Sequence, residues 1–308
     1  MPFDVQAALK KFCKTCKPTT IASYARNIRR LSKIAGNDEV PSTKGWLAGD
    51  KGKSLIKKIE KDLPLSAARH LYTAGSQAFR MYGGERSSLW VIKMNEASNR
   101  YSDQRQKQQK SSKEVSNWPR DGYRSLAKAA QIIKRKISGL LTKKEYTNEQ
   151  AYEVQKYIIL LLFSHHAFRL QVASLYLKSS ETENTLLRPR GSRKYVVTLR
   201  THKTDKSMGI LKVPLNLAVS KALTKYVPKI PSKHGYFLSL RNGNKMSQSS
   251  LSKLLIRLTT ATLGKKIGVR LTRVLKTTQH AKKIKAAEEL QNELGHSAQT
   301  QRTYVRKE

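Results

Sequence analysis

The sequence predicts a mainly α-helical protein of two domains, with one small antiparallel β-sheet in the second domain. The length of 308 residues suggests about two domains. Long segments repeat apolar residues every three or four positions, and one pair of short β-branched segments alternates around a polar turn. Between the helical segments, residues 95–117 have almost no apolar side chains and no period, so we interpret them as a linker. The predicted boundaries are 1–95 for a helical domain, 96–117 for the linker and 118–308 for the second domain.

The first domain is predicted from an amphipathic helix between Pro18 and Gly36. Pro18 followed by threonine is a start signal, and Gly36 is a stop signal. One helix face is apolar, and it consists of Ile21, Tyr24, Ile28, Leu31 and Ile34. Cations occupy other faces, and we expect them to contact DNA: Arg26, Arg29, Arg30 and Lys33. Several helices with basic outer faces would suit a clamp on duplex DNA.

The second domain is predicted to be helical around one hairpin. A helix over 123–141 precedes one over 147–168, whose run Tyr157–Phe163 is apolar on all sides and should be buried. KYVVTLRTHK and GILKVPL alternate around the polar turn TDKSMG, which indicates a β-hairpin. YFLSL is predicted as a further strand. Helices are then predicted in SQSSLSKLLIRLTTATLG, VRLTRVLKTTQHAKK and KAAEELQNELG.

The charge balance points to a polyanionic partner. Lys and Arg number 61 against 21 Asp and Glu, a net charge of +40 that is spread along the whole chain. Such an excess repels itself in a compact state, and nucleic acid neutralises it with release of counterions. A role in solubility alone is the alternative, but acidic residues serve solubility better. No run of about 18 apolar residues occurs, so no membrane span is expected.

Cys13 and Cys16 are the only cysteines. Two cysteines cannot build a disulfide framework. As a CxxC pair they would need two further ligands for tetrahedral zinc, and the nearest histidine is His70. We therefore expect no metal and no cofactor. The two cysteines are interpreted as sharing one helix by chance, and the expected compartment is intracellular.

An ordered series of polar residues stands out in the second domain. Arg169 follows the buried helix, where an unpaired charge is costly. Lys203 lies at the hairpin, Arg273 on a later helix, and LGHS contains His296, with Tyr304 eight positions further on.

This order resembles the catalytic domain of the tyrosine recombinases, or phage-type integrases. In that family the second arginine and the LGH histidine are typically about 23 positions apart, as Arg273 and His296 are. PTTIASYARNIRRL is similar to the opening of the family's helical core-binding domain. The resemblance covers nearly the whole chain and implies a two-domain clamp on DNA. The hairpin and linker look most like integrases of eukaryotic mobile elements and DNA viruses.

The resemblance implies a role for each residue, and these roles suit phosphodiester chemistry without a metal. Arg169 and Arg273 would neutralise the charge that develops on the non-bridging oxygens. Tyr304 would be the nucleophile that forms a 3′-phosphotyrosine. Lys203 would protonate the leaving 5′-oxygen, and His296 would act as a further donor or acid–base group.

Three features depart from the family pattern. Arg270 stands where a histidine usually precedes the second arginine, and we expect it to contact a phosphate or to help electrostatically, since arginine is no base at neutral pH. Val172 stands three residues after Arg169, at a position where the family usually has an acidic residue. The spacing from His296 to Tyr304 is eight instead of nine, which a shorter turn or a tyrosine from another subunit would explain.

The implied function is site-specific strand exchange on double-stranded DNA, with four protomers on two duplexes, in the nucleus if the host is eukaryotic. A telomere resolvase or a type IB topoisomerase would use the same chemistry. The alternative from another class is a non-catalytic DNA-binding or architectural protein, which would need the positive charge but not the ordered array.

Overall fold

The computed structural model describes residues 3–83, 87–231 and 235–293. The chain divides into two compact units, residues 1–109 and 110–308. The described part is mainly helical and contains one three-stranded antiparallel sheet in the second unit, which confirms the predicted mainly α-helical class with a small antiparallel sheet; the predicted clamp on DNA stays a prediction.

The first unit is built from amphipathic helices around one apolar core. Its helices are α1 (Val5–Phe12), α2 (Pro18–Ile34), α3 (Gly49–Asp62), α4 (Leu65–Met81) and α5 (Ser88–Gln106), with a 3-10 turn at Lys44–Leu47. In α2, Ile21, Ile28 and Leu31 are buried as predicted. Trp90 of α5 is completely buried, and its indole N–H donates to the carbonyl of Leu47 at 2.9 Å.

The prediction of a linker without regular structure over 96–117 is corrected by the structure, because most of this segment is helical. Helix α5 continues to Gln106, Ala97 is buried, and the guanidinium of Arg69 lies 4.3 Å from the ring centre of Tyr101. The inward residues of α5 are too widely spaced among polar ones to show a clear period. The division between the units falls after Gln109, so the polar composition marks an exposed helix face as much as a connection.

The two cysteines also differ from the sequence expectation. Cys13 and Cys16 lie between α1 and α2, and their sulfur atoms are bonded. Their Cα atoms are 5.4 Å apart, a separation that a disulfide can span. The bond is local and joins the end of α1 to the start of α2.

The second unit surrounds the buried helix α9. Its helices are α6 (Ser112–Asn117), α7 (Ser125–Lys136), α8 (Ser138–Leu141), α9 (Asn148–His165), α10 (Asp205–Met208), α11 (Leu217–Tyr226), α12 (Gln248–Leu263), α13 (Val269–Gln279) and α14 (Ala281–Glu293). Thr147 and Gln150 form a capping box at the start of α9. The run Tyr157–Phe163 is buried, as its apolar composition predicts. No helix in the described ranges is long and apolar enough to cross a membrane.

The sheet has the order β1-β2-β3, with β1 (Thr185–Leu187), β2 (Val196–Leu199) and β3 (Leu211–Pro214). Strands β2 and β3 are the predicted hairpin, and Val197 pairs with Val213. Strand β1 is not predicted from the sequence, because three residues are too few to show an alternation.

The predicted strand YFLSL is wrong. It forms isolated bridges only, and the buried side chain of Gln155 on α9 takes up the backbone of Ser239. The N–H of Ser239 donates to Gln155 Oε1 at 3.1 Å, and Gln155 Nε2 donates back to the carbonyl at 2.5 Å. A side chain therefore satisfies the groups that a neighbouring strand would otherwise bond.

Gly75 of α4 packs directly against the ring of Trp90 on α5. A Cβ built there would lie 2.2 Å from the Trp90 ring, so Gly75→Ala should displace the indole and destabilise the unit. We expect a loss of about 1–3 kcal/mol in the free energy of unfolding, even though alanine favours a helix. Gly45→Ala, where a Cβ meets nothing within 4 Å, is the control and should be near neutral. Urea denaturation measures both, and an unchanged midpoint for Gly75→Ala would contradict the packing.

Candidate active site

Of the two arginines predicted from the sequence to act together, Arg273 lies within the electrostatic field of Arg169. Arg169 is half-buried on the segment that follows α9, and Arg273 lies in the second turn of α13. Burial lowers the pKa of the Arg273 guanidinium, and the positive charge of Arg169 lowers it further. Neither side chain has an ion pair with a carboxylate among the described residues. Two like charges brought together in this way are unfavourable until an anion joins them.

Lys276 fixes the helix that carries Arg273 to the end of the helix that precedes Arg169. Its ammonium group donates a hydrogen bond to the carbonyl of His165 at the end of α9 and lies 5.5 Å from the ring centre of Tyr123. Burial lowers the pKa of Lys276. A cation at the carbonyl end of a helix is favourable, so this contact orients α13, the helix that carries Arg273.

The two histidines before Arg169 are structural parts of the same site. Burial, assisted by the charge of Lys276, lowers the pKa of His165 and lowers that of His166 to about 4. Neutral His166 accepts a hydrogen bond from the N–H of Asn216 at 3.0 Å and stacks on Phe168 with ring centres 5.4 Å apart. These contacts hold the chain between α9 and Arg169. Adjacency in the sequence does not reveal this role, since both partners of His166 become visible only in the folded chain.

Lys203 lies exposed on the connection between β2 and β3, and a polar framework fixes the base of that connection. The buried carboxamide of Asn184 accepts from the N–H groups of Arg200 at 2.7 Å and Thr201 at 3.0 Å, and it donates to the Thr201 carbonyl at 3.1 Å. In the described ranges no hydrogen bond or ion pair joins Lys203 to the two arginines. Its predicted role as an acid stays a prediction.

Arg270, three positions before Arg273, has an acidic neighbour. Its guanidinium is 4.0 Å from Glu114 on α6, and its side chain is 76% exposed. The pKa of Glu114 is lowered mainly by the backbone N–H of Ser111, with a smaller contribution from Arg270. An exposed ion pair of this length contributes little, so the arginine stays available, and its contact with a phosphate stays a prediction.

His296 and Tyr304 lie outside the described residues. The last described element, α14, ends at Glu293 and follows α13 directly. The proposed acid–base group and nucleophile therefore rest on the sequence alone.

The basic residues predicted to bind DNA in the first unit form one stripe. Arg26, Arg29, Arg30 and Lys33 are all exposed and repeat at the three- and four-residue steps of a single helix face. They lie opposite the buried residues of α2, and none of them has an ion pair within the described part of the chain. The arrangement suits a row of phosphates.

No group of three or more potential metal ligands occurs in the described residues. No protein-family model and no curated protein matches the sequence. Among solved structures, the chain has a distant likeness to the crystal structure of XerA recombinase, with 13% sequence identity, a TM-score of 0.37, and coverage of 99% of this chain and 93% of the other.

The like-charged pair predicts how one substitution affects stability in the absence of DNA. Arg273→Gln removes the repulsion with Arg169, so the free energy of unfolding should stay the same or rise by up to about 0.5 kcal/mol. Arg241→Gln is the matched control, because Arg241 pairs with Glu149 and Glu153, and its loss should cost up to about 1 kcal/mol. Urea titration of both variants checks this. A larger loss for Arg273→Gln than for the control would show that Arg273 stabilises the fold.

Proposed function

We propose that this protein cleaves and rejoins double-stranded DNA as a site-specific recombinase of the tyrosine type. The observation that carries the proposal is that the charge of Arg169 reaches Arg273 and lowers its pKa, while neither side chain has an ion pair with a carboxylate among the described residues. Two cations placed within each other's field are favoured when an anion binds between them. A phosphodiester fits, since each guanidinium can donate two parallel hydrogen bonds to its non-bridging oxygens.

In the proposed reaction the phenolate oxygen of Tyr304 attacks phosphorus. The bond between phosphorus and the 5′-oxygen breaks, and Lys203 gives that oxygen its proton. A 3′-phosphotyrosine remains, which keeps the energy of the phosphodiester for rejoining. A 5′-hydroxyl from a second strand then attacks this linkage and returns its proton to the lysine. The steps balance without water, a nucleotide or a redox partner.

The arginine pair, His296 and Arg270 would act on the charge of the transition state. The non-bridging oxygens gain negative charge as the pentavalent state forms, and fixed donors stabilise that charge without reorganising. Lys276 would hold Arg273 in position for this role, because it joins the helix that carries Arg273 to the end of α9. His296 would donate to the same oxygens or exchange a proton with the nucleophile.

The proposed function also implies an assembly of several copies on DNA. Strand exchange needs two duplexes, and four copies would supply one tyrosine for each strand. The exposed stripe on α2 would hold the first unit on the DNA backbone. Integration of a mobile or viral element, and a nuclear location in a eukaryotic host, belong to the proposal as well.

A non-catalytic DNA-binding protein is the second candidate, and the spread of the +40 charge is what favours it. It would bind duplex DNA with steep salt dependence and leave the strands intact. A telomere resolvase or a type IB topoisomerase would share the covalent step and differ in the product.

The nucleophile can be tested directly. The wild-type chain, incubated with nicked suicide duplexes, should form a covalent protein–DNA adduct on denaturing gels. Tyr304→Phe should abolish the adduct and leave DNA affinity nearly unchanged, because only the attacking oxygen is lost. Tyr24→Phe on α2 is the control and should still form the adduct. An adduct that survives in Tyr304→Phe would reject the assignment, and binding without an adduct in the wild type would favour the second candidate.

The acid role of Lys203 predicts a dependence on the leaving group. Lys203→Ala should slow cleavage of ordinary DNA by about 10²–10⁴-fold, the usual contribution of a general acid. A bridging 5′-phosphorothiolate substrate should restore the rate, since its sulfur leaves without a proton. Lys212→Ala, which changes an exposed lysine on β3 of the same hairpin, is the control and should cleave both substrates at similar rates. Equal loss on both substrates in Lys203→Ala would exclude the acid role.

A further inference from the structure

The connection between β2 and β3 contains a buried histidine directly before the exposed Lys203. His202 is 7% exposed, and both of its ring nitrogens have hydrogen-bond partners. A buried histidine is usually a satisfied part of a core. Here, however, the residues that His202 bonds within the described part of the chain belong to the connection itself, between positions 202 and 209. The ring therefore fixes the loop that carries Lys203, and the proposed reaction leaves it without a role.

The ring of His202 joins the start of the connection to its end. Nε2 lies 2.9 Å from the carbonyl oxygen of Gly209, and a carbonyl only accepts, so Nε2 is the donor. In the neutral ring Nδ1 is then an acceptor, and the hydroxyl of Thr204 lies 3.2 Å from it. Since His202 follows the end of β2 and Gly209 precedes β3, one imidazole closes the loop between the two strands.

Lys203 lies between the two residues that one of these ring contacts joins. His202 precedes it and Thr204 follows it, so the contact of Nδ1 with the Thr204 hydroxyl spans Lys203 directly. One turn of helix, α10, comes next, and the N–H of Gly209 donates to the Asp205 carbonyl at 2.8 Å. The backbone on both sides of the lysine is thus tied, whereas its side chain is exposed. A fixed backbone limits the volume that a long, flexible side chain can search.

We propose that His202 is a positioning residue for Lys203, and that its ring places the ammonium group where it can reach the leaving 5′-oxygen. This inference rests on the proposed function, because it takes Lys203 as the acid. The ring itself exchanges no proton with the DNA, since it is buried and its Nε2–H is bonded to Gly209. The proton passes from the ammonium group of Lys203 to the 5′-oxygen, and it returns from the attacking 5′-hydroxyl when the strand is rejoined.

Removal of the ring should slow cleavage without weakening DNA binding. His202→Ala keeps the Lys203 side chain but frees the backbone around it. A displacement of a reacting group by about 1 Å can cost about 10²-fold, so we expect the single-turnover rate on ordinary DNA to fall by about 10- to 100-fold. DNA affinity should stay near that of the wild type, because no cation is lost. His202→Gln, whose amide N–H can still donate to the Gly209 carbonyl, should recover part of the rate.

The leaving group distinguishes positioning from a merely structural role. For each variant of the full chain, cleavage rates are measured on ordinary suicide duplexes and on bridging 5′-phosphorothiolate duplexes, and their ratio is compared with that of the wild type. A partly unfolded variant lowers both rates and leaves the ratio unchanged. His202→Ala should shift the ratio towards the phosphorothiolate by about 10- to 100-fold, since sulfur leaves without a proton. Ser207→Ala on α10, whose exposed hydroxyl donates to the Thr204 carbonyl at 3.1 Å and not to the ring, is the control and should keep the wild-type ratio.

A double variant tests whether the ring acts through the lysine. The effects of two residues that act through one another are not additive. His202→Ala added to Lys203→Ala should therefore slow cleavage of ordinary DNA no further than Lys203→Ala alone. An unchanged ratio of the two rates in His202→Ala would overturn the proposal, and so would a further loss in the double variant as large as the loss that His202→Ala causes by itself.

The Lys203 variant distinguishes failure of this inference from failure of the proposed function. A ratio that shifts in Lys203→Ala and not in His202→Ala rejects the positioning role alone and keeps the acid. A shift in His202→Ala without one in Lys203→Ala means that the ring acts on the leaving group without the lysine, which also overturns the positioning role. Absence of a covalent adduct in the wild type rejects the strand-transfer chemistry, and the role of His202 with it.

Discussion

The repulsion between Arg169 and Arg273 is the constraint on which the candidate site depends. Burial and the neighbouring charge both lower the pKa of Arg273, so the folded chain holds the pair at a cost. That cost is small in an exposed setting but is not offset by a carboxylate in the described residues. In the proposed reaction a bound phosphate would remove it, because both guanidiniums would then face a negative group. The same electrostatics that make the free pair unfavourable would thus favour an anion between them.

The scaffold around the pair consists of neutral and cationic groups that meet helix ends. Lys276 contacts the last carbonyl group of α9, and His166 stays neutral so that it can accept the Asn216 N–H. Tyr123 adds a third link through its hydroxyl, which donates to the carbonyl of Phe163 at 2.6 Å. These contacts come from α13, from the residue before α11 and from the start of the second unit, and all converge on the end of α9. None of the three uses an acid, so the fixing of the chain leaves the positive potential intact.

The long elements could be predicted from the sequence because their signals are local. The apolar face of α2, the buried run in α9 and the alternation of β2 and β3 each follow from residue spacing within one segment. Strand β1, and the absence of a strand over 236–240, could not be predicted in this way. The hydrogen bonds of both segments depend on partners far along the chain. Gln155, whose side chain bonds Ser239, is 84 positions away from it. Helix α5 was missed for another reason, namely that only a few of its residues are buried.

The candidate site could be selected from sequence order but not assembled from it. The order of Arg169, Lys203, Arg273, His296 and Tyr304 carries the resemblance to a family, and the structure relates two of these residues to each other. Lys276 was missed because a lysine one turn after Arg273 is unremarkable in a chain with 61 cations. Its significance lies in a contact with a carbonyl 111 positions earlier. Spacing within a helix gives no information about such a partner.

The positive charges of this molecule occur in two settings. The stripe on α2 is exposed and follows one helix face, so under the proposed function each of its cations would add a modest, salt-dependent amount to DNA affinity. The charges beside α9 are few, and burial lowers the pKa of Arg273 and of Lys276. The proposed function would therefore let affinity and chemistry vary independently, because affinity would depend on the number of cations and chemistry on the position of a few.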